Sequence, residues 1–135
     1  MKVGDYFEET LRFNYDEMIS FLDSVKDDNP AHRLTEAEKK DPEIYNKLTV
    51  QGMYAVGMFS GILNRNFPNS INVYRDATFV RPILLGDTYT MSLQIREILQ
   101  DECIGVIKGY IKNSKGKVCI DCNTKMRNEK FFGKN

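Results

Sequence analysis

One histidine, three cysteines and no surplus of charge occur in 135 residues, and each shortage excludes a class of protein. Lysine plus arginine and aspartate plus glutamate both count 19, so the formal net charge is zero. A chain without a basic field does not gather polyanions, and no nucleic-acid partner is expected. Cys103, Cys119 and Cys122 are too few and too clustered for a disulfide framework, and reduced thiols are expected. No window approaches the roughly 20 apolar residues of a membrane helix, and the opening MKVGDYFEETLRF lacks a signal-like apolar run. A cytoplasmic protein without a membrane partner is the expectation. Also missing are a Gly-rich phosphate loop followed by lysine, a G-x-S-x-G elbow and a dinucleotide fingerprint.

The pair Cys119 and Cys122 forms C-x-x-C, which invites a zinc or redox reading. Period-two alternation along a strand puts Val118, Ile120 and Cys122 on one face and Cys119, Asp121 and Asn123 on the other, so the sulfurs should point apart. With one histidine and no second C-x-x-C, a four-ligand site is not expected, and no metal is assigned.

What is present fits one domain over residues 1–135, long enough to bury a core. Tyr15, Met18, Ile19 and Leu22 recur at helical spacing after Asn14, a suitable N-cap, which predicts a helix from about Tyr15 to Val25. The charged stretch 35-TEAEKKDPE-43 reads as an exposed excursion with one helical turn, begun by a capping box of Thr35 and Glu38. The segment 50-VQGMYAVGMFSGILNRNF-67 is apolar on nearly every face, as a buried helix is. Its glycines 52, 57 and 61 each cost about 1 kcal/mol relative to alanine, and close approach to a packed sheet is the expected compensation. After Pro68 the period changes to two. Strands are predicted in 71-INVYRDATFV-80, 88-TYTMSLQIRE-97, 103-CIGVIKGYIK-112 and 117-KVCIDCNTKM-126, the last two joined by a hairpin at NSKG, and a short first strand spans Glu8 to Phe13. Helices followed by consecutive strands argue α+β. A curled antiparallel sheet wrapped around one long central helix is the hot-dog arrangement.

The only histidine sits in 27-DDNPAH-32, where a carboxylate precedes the imidazole by five residues across a stiffening proline. Two titrating groups on one rigid loop are what an acid/base pair acting on one water requires. The same residues also suit a plain Asx-Pro turn with a surface histidine. Gly52 opens the apolar helix, and a glycine there lets a ligand oxygen approach unpaired N–H groups. Such a site could stabilise an enolate oxyanion, and a packing glycine reads equally well.

Taken together these segments resemble the MaoC-like, (R)-specific enoyl-CoA hydratases. The pattern D-x-N-P-x-H reads Asp27, Asn29, Pro30 and His32; H-G-M reads Gln51, Gly52 and Met53; F-S-G reads Phe59, Ser60 and Gly61; and the later aromatic, proline and Gly-Asp feature reads 79-FVRPILLGD-87. The resemblance implies that Asp27 and His32 hold a water and add it syn across a trans-2-enoyl thioester. It implies that the Gly52 N–H polarises the carbonyl, that Asn29 orients the loop, and that Ser60 lines the pocket with Gln51 and Met53. Asp28 falls at the variable position and receives no catalytic role. Gln51 replaces the histidine of many members and cannot titrate, which bears on substrate choice. The resemblance also implies an acyl-CoA or acyl carrier protein thioester as substrate, no cofactor, and a homodimer or dimer of dimers joined through sheet edges. A 3-hydroxyacyl carrier-protein dehydratase and a non-catalytic acyl-thioester binding subunit remain the alternatives.

Overall fold

The computed structural model describes residues 1–134. Five strands, β1 (Tyr6–Leu11), β2 (Ile71–Phe79), β3 (Tyr89–Leu99), β4 (Ile104–Lys112) and β5 (Val118–Arg127), form one antiparallel sheet in the order β1-β3-β4-β5-β2. The helices are α1 (Tyr15–Ser24), α2 (Glu36–Lys39), α3 (Pro42–Lys47), α4 (Gly52–Asn66) and α5 (Glu129–Phe132). This is the expected hot-dog fold, with α4 as the long helix.

Local chemistry explains where most elements begin. Asn14 caps α1 by accepting from the Glu17 N–H at 3.0 Å. Thr35 and Glu38 form the expected reciprocal capping box on α2, and α3 follows with Pro42 in its first turn. At the hairpin, Asn113 Oδ1 accepts the N–H groups of Lys115 and Lys117, both at 3.0 Å, while Gly116 takes a φ of 75°. In β3, Tyr89, Met91, Leu93 and Ile95 are buried as the alternation requires. The first strand lies two residues earlier than expected, because Phe13 leaves the ladder to enter the core and turn the chain into α1.

Two expectations are corrected. The helix α4 is not covered all round: Ala55, Phe59, Ile62 and Leu63 are fully buried, but Met53, Gly57, Ser60 and Asn64 form an open face. Its glycines divide: Gly52 meets the sheet as expected, at the Phe79 ring that ends β2, whereas a Cβ at Gly57 would meet nothing within 4 Å and one at Gly61 would meet first the Arg65 side chain of the same helix. Close approach is also supplied from the other partner, since Gly109 in β4 lies beneath the Phe59 ring, where an added Cβ would sit 2.7 Å from Cε1. The second correction concerns the C-x-x-C pair. Register runs Ile111↔Ile120 and then Lys112↔Val118, which leaves Cys119 as an extra residue. This bulge breaks the alternation, and both Cys119 and Cys122 are 1% exposed. Burial is the main influence on both thiols and pushes them up. The Cys119 carbonyl accepts from the Val80 and Arg81 N–H groups at 2.8 and 3.2 Å, and so ties the sheet to the segment that walls the cavity described next.

Candidate active site

The loop carrying the lone histidine is built from consecutive side chain to backbone bonds. After α1, Lys26 takes a φ of 60° and the Asp27 N–H returns to Leu22 O at 2.9 Å. Asp27 Oδ1 then accepts from the Asn29 N–H, and Asn29 Oδ1 from the Ala31 N–H, each at 3.0 Å. The second bond caps a 3-10 turn, Pro30–His32, with proline at its first position, where no N–H is needed. These are the Asx-Pro turn contacts, and they aim His32 away from its own loop toward the start of α4.

There His32 Nδ1 lies 2.8 Å from the Thr49 carbonyl oxygen. A carbonyl only accepts, so Nδ1 carries the proton in the neutral ring and Nε2 is left with its lone pair free. Thr49 is itself fixed by a bridge to Leu84, and the Val50 N–H donates to Ile83 O at 2.7 Å. The next residue, Gln51, caps α4: its Oε1 accepts from the Tyr54 N–H at 2.8 Å. Because an N–H faces Oε1, the amide NH2 is the end left for other partners. The Gly52 and Met53 N–H groups, in the first helical turn, have no carbonyl acceptor within the helix.

Tyr54 locks this end of α4 to α1. Its hydroxyl donates to Glu17 Oε2 at 3.2 Å. Burial, and then the Glu17 charge, push its phenol up to about 12.

His32, Thr49, Gln51 and Gly52 share a cavity of about 470 Å³. Its deep wall is apolar, made by Val50, Ala55, Ile83 and Ile120, and its mouth carries Met53, Phe79, Val80 and Arg81. Size and lining suit a small ligand with a long apolar part and one polar end. The Phe79 ring covers Gly52 so closely that a Cβ there would sit 2.6 Å from Cε1. Arg81 is the cation at the mouth, held by a 2.6 Å bond from Nη1 to Val118 O.

Of the residues singled out from sequence, His32, Gln51, Gly52 and Met53 come together around the cavity. Asp27 is half-buried in the loop and is not on the cavity wall. Asn29 is exposed and spends its side-chain oxygen on the turn. Ser60 is on the open face of α4, eight residues or roughly 12 Å beyond Gly52, and accepts from Arg75 Nη1 at 3.2 Å. Two contributors went unread in the sequence. Thr49 acts through a backbone carbonyl, which leaves no side-chain signal, and Phe79 was visible only as the aromatic of 79-FVRPILLGD-87.

No family model matches the chain. It is 28% identical over 124 residues to the mitochondrial 3-hydroxyacyl-[acyl-carrier-protein] dehydratase of Arabidopsis thaliana, covering 90% of this chain and 74% of that protein. It is 24% identical over 127 residues to the (R)-specific enoyl-CoA hydratase of Aeromonas caviae, covering 89% and 90%. Among solved structures it is similar to the (R)-hydratase from A. caviae involved in PHA biosynthesis, with a TM-score of 0.81, 22% identity and coverage of 94% and 96%. The chain thus has relatives among the hydratases and dehydratases over about nine-tenths of its length, and a structural neighbour of the same fold.

Proposed function

We propose that the chain hydrates trans-2-enoyl thioesters to (R)-3-hydroxyacyl thioesters, or runs the reverse dehydration. The observation that carries this reading is that His32 and the start of α4 at Gly52 meet at one apolar cavity, with His32 Nδ1 occupied by Thr49 O so that Nε2 can accept a proton. In the forward direction the oxygen of one water bonds to C3 and C2 receives a proton on the same face, so that the π bond is consumed and the elements of that water are all accounted for. The proton leaving the water and the proton reaching C2 pass through the pair of His32, whose Nε2 can accept, and Asp27. The Gly52 N–H donates to the thioester oxygen, where charge builds up as the enolate forms. Asn29 orients the loop and Gln51 and Met53 contact the acyl thioester, while Ser60, expected to line the pocket, lies outside this cavity beside Arg75 and takes no part in the scheme. No metal, cofactor or nucleic acid enters this scheme.

Coenzyme A is the first carrier to try, as in the A. caviae relative. An acyl carrier protein is the second reading, favoured by the likeness to the plant dehydratase. A homodimer is proposed because β2 ends the sheet and leaves Ile71, Val73 and Phe79 exposed along it; sedimentation at micromolar concentration should give twice 15.6 kDa. No helix among the described residues is long and apolar enough to cross a membrane, and the proposed compartment is the cytoplasm.

The test is the loss of enoyl absorbance when crotonyl-CoA or a crotonyl carrier protein meets the parent protein, beside His32→Ala and Asp27→Asn. Loss of either group should cost about 10²- to 10⁴-fold. Binding of the thioesters with no turnover by the parent would instead identify a non-catalytic acyl-thioester subunit.

A further inference from the structure

We infer that Arg33 is a positioning residue for this chemistry, a clasp that fixes the loop bearing Asp27 and His32; the inference rests on the hydratase reading above. Arg33 follows His32 directly, and its Nη2 donates both to Asp23 Oδ1 and to the main-chain oxygen of Asp27, each at 2.8 Å. Asp23 lies in the last turn of α1. One nitrogen therefore joins the point where the chain leaves α1, the middle of the loop and, through its own backbone, the loop's exit. The exit is pinned further along: the Leu34 N–H donates to the Tyr15 hydroxyl at 2.8 Å, at the start of α1.

The clasp acts on the residues that matter through a continuous series of bonds. Arg33 holds the Asp27 backbone, the Asp27 carboxylate accepts from the Asn29 N–H, and the Asn29 side chain caps the turn that ends in His32. Without Arg33, His32 would keep Thr49 O as its acceptor and the turn would keep its Asp27 and Asn29 bonds, but the loop would lose its tether to Asp23 of α1. Arg33 Nε is buried and has no partner among the described residues. A surface arginine free to turn would hydrate that N–H, so the two acceptors on Nη2 set where the head group lies. Asp23 is 63% exposed on its side chain, and ion pairs of that kind contribute little to global stability. The expected consequence of removing the clasp is thus misplacement of the loop with little change in melting.

The test compares Arg33→Ala, Arg33→Lys, Asp23→Asn and Asp23→Ala in the full chain. Because small displacements can cost up to about 10²-fold, Arg33→Ala should lower kcat by about 10- to 100-fold while KM changes little. Arg33→Lys, which keeps a charged donor, should recover part of it. Asp23→Asn retains the acceptor and should stay near the parent; Asp23→Ala should fall in the same direction as Arg33→Ala, and the double variant should be no worse than Arg33→Ala alone. A second readout needs no turnover. The protein has one histidine, so its ring NMR signals are unambiguous, and the parent should show one sharp set with the Nδ1-protonated pattern that broadens or splits in Arg33→Ala. Unchanged kcat with an unchanged His32 signal overturns the inference, as does a loss confined to KM. If the parent turns over no thioester, the hydratase reading fails, and the His32 signal alone decides whether Arg33 holds the loop.

Discussion

Gly109→Ala tests how α4 is seated. Gly109 lies in β4 between Leu93 of β3 and Cys122 of β5, so the backbone is held by neighbours on both sides. An added Cβ would meet Phe59 Cε1 at 2.7 Å and Cδ1 at 3.1 Å, and Phe59 is 0% exposed. The ring cannot swing into solvent. It must recoil within a close-packed core, which costs about 1–3 kcal/mol, while alanine's smaller unfolded-state freedom returns about 0.5–1 kcal/mol. With both effects at the middle of their ranges, a net loss of about 1.25 kcal/mol is expected. With about 2.1 cal/mol/K per residue, the chain's unfolding entropy makes each kcal/mol worth about 3.5 °C, so Tm should fall by about 4 °C. Calorimetric melts at one fixed protein concentration measure it, and Phe59→Leu added to Gly109→Ala should recover part of the loss. The control is Gly57→Ala, where nothing lies within 4 Å of the new Cβ; helix propensity alone should raise stability by about 1 kcal/mol. A Gly109→Ala protein that melts at or above the parent would refute the seating of Phe59 on β4.

Other perturbations probe the cavity end of α4. Gln51→Ala removes the acceptor for the Tyr54 N–H and should cost about 0.5–2 kcal/mol in thermal melts, whereas Gln51→Glu keeps an acceptor and should melt near the parent. Gly52→Ala would place a Cβ 2.6 Å from the Phe79 ring; the ring is 54% exposed and can move, so Tm should change little while kcat/KM for a crotonyl thioester falls by about tenfold or more. Tyr54 keeps its proton up to about 12, above its ordinary 10.0, so between these values the folded state binds the extra proton. Its contribution is complete below about pH 10 and declines as pH rises toward 12, by up to about 1.4 kcal/mol per pH unit. Tyr54→Phe should flatten that decline in melts taken across the same range.

Elements set by short-range chemistry were readable from the chain. Asn14, the Thr35 and Glu38 box and the NSKG hairpin each act within four residues, and each stands as expected. The glycines of α4 were legible only in part: Gly52 does meet Phe79 of the sheet, but Gly57 meets nothing, because helix propensity reports a local cost without naming the neighbour. Phe59 also needed room, and that came from Gly109, fifty residues later. The Cys119 bulge was hidden for a similar reason, since a strict period of two carries no mark of one inserted residue. At the site, the D-x-N-P-x-H pattern identified the loop. Nothing in that pattern signals that Thr49 binds Nδ1 through its backbone, that Arg33 spans the loop, or that Ser60 lies on the far side of the helix from the core.

The order of elements along the chain also bears on how the molecule is made. The helix α4 ends at Asn66, and every strand except β1 comes after it. On a ribosome the most apolar helix of the protein therefore emerges before the surface that will bury it, and Phe59, Ile62 and Leu63 wait in water for β3, β4 and β5. Those three strands are hairpin-connected neighbours and can pair quickly once synthesised. The sheet is completed at its two edges by β1 and β2, both synthesised before those three strands. The interval between helix and sheet is the window in which a chaperone or a neighbouring chain would find this protein most adhesive.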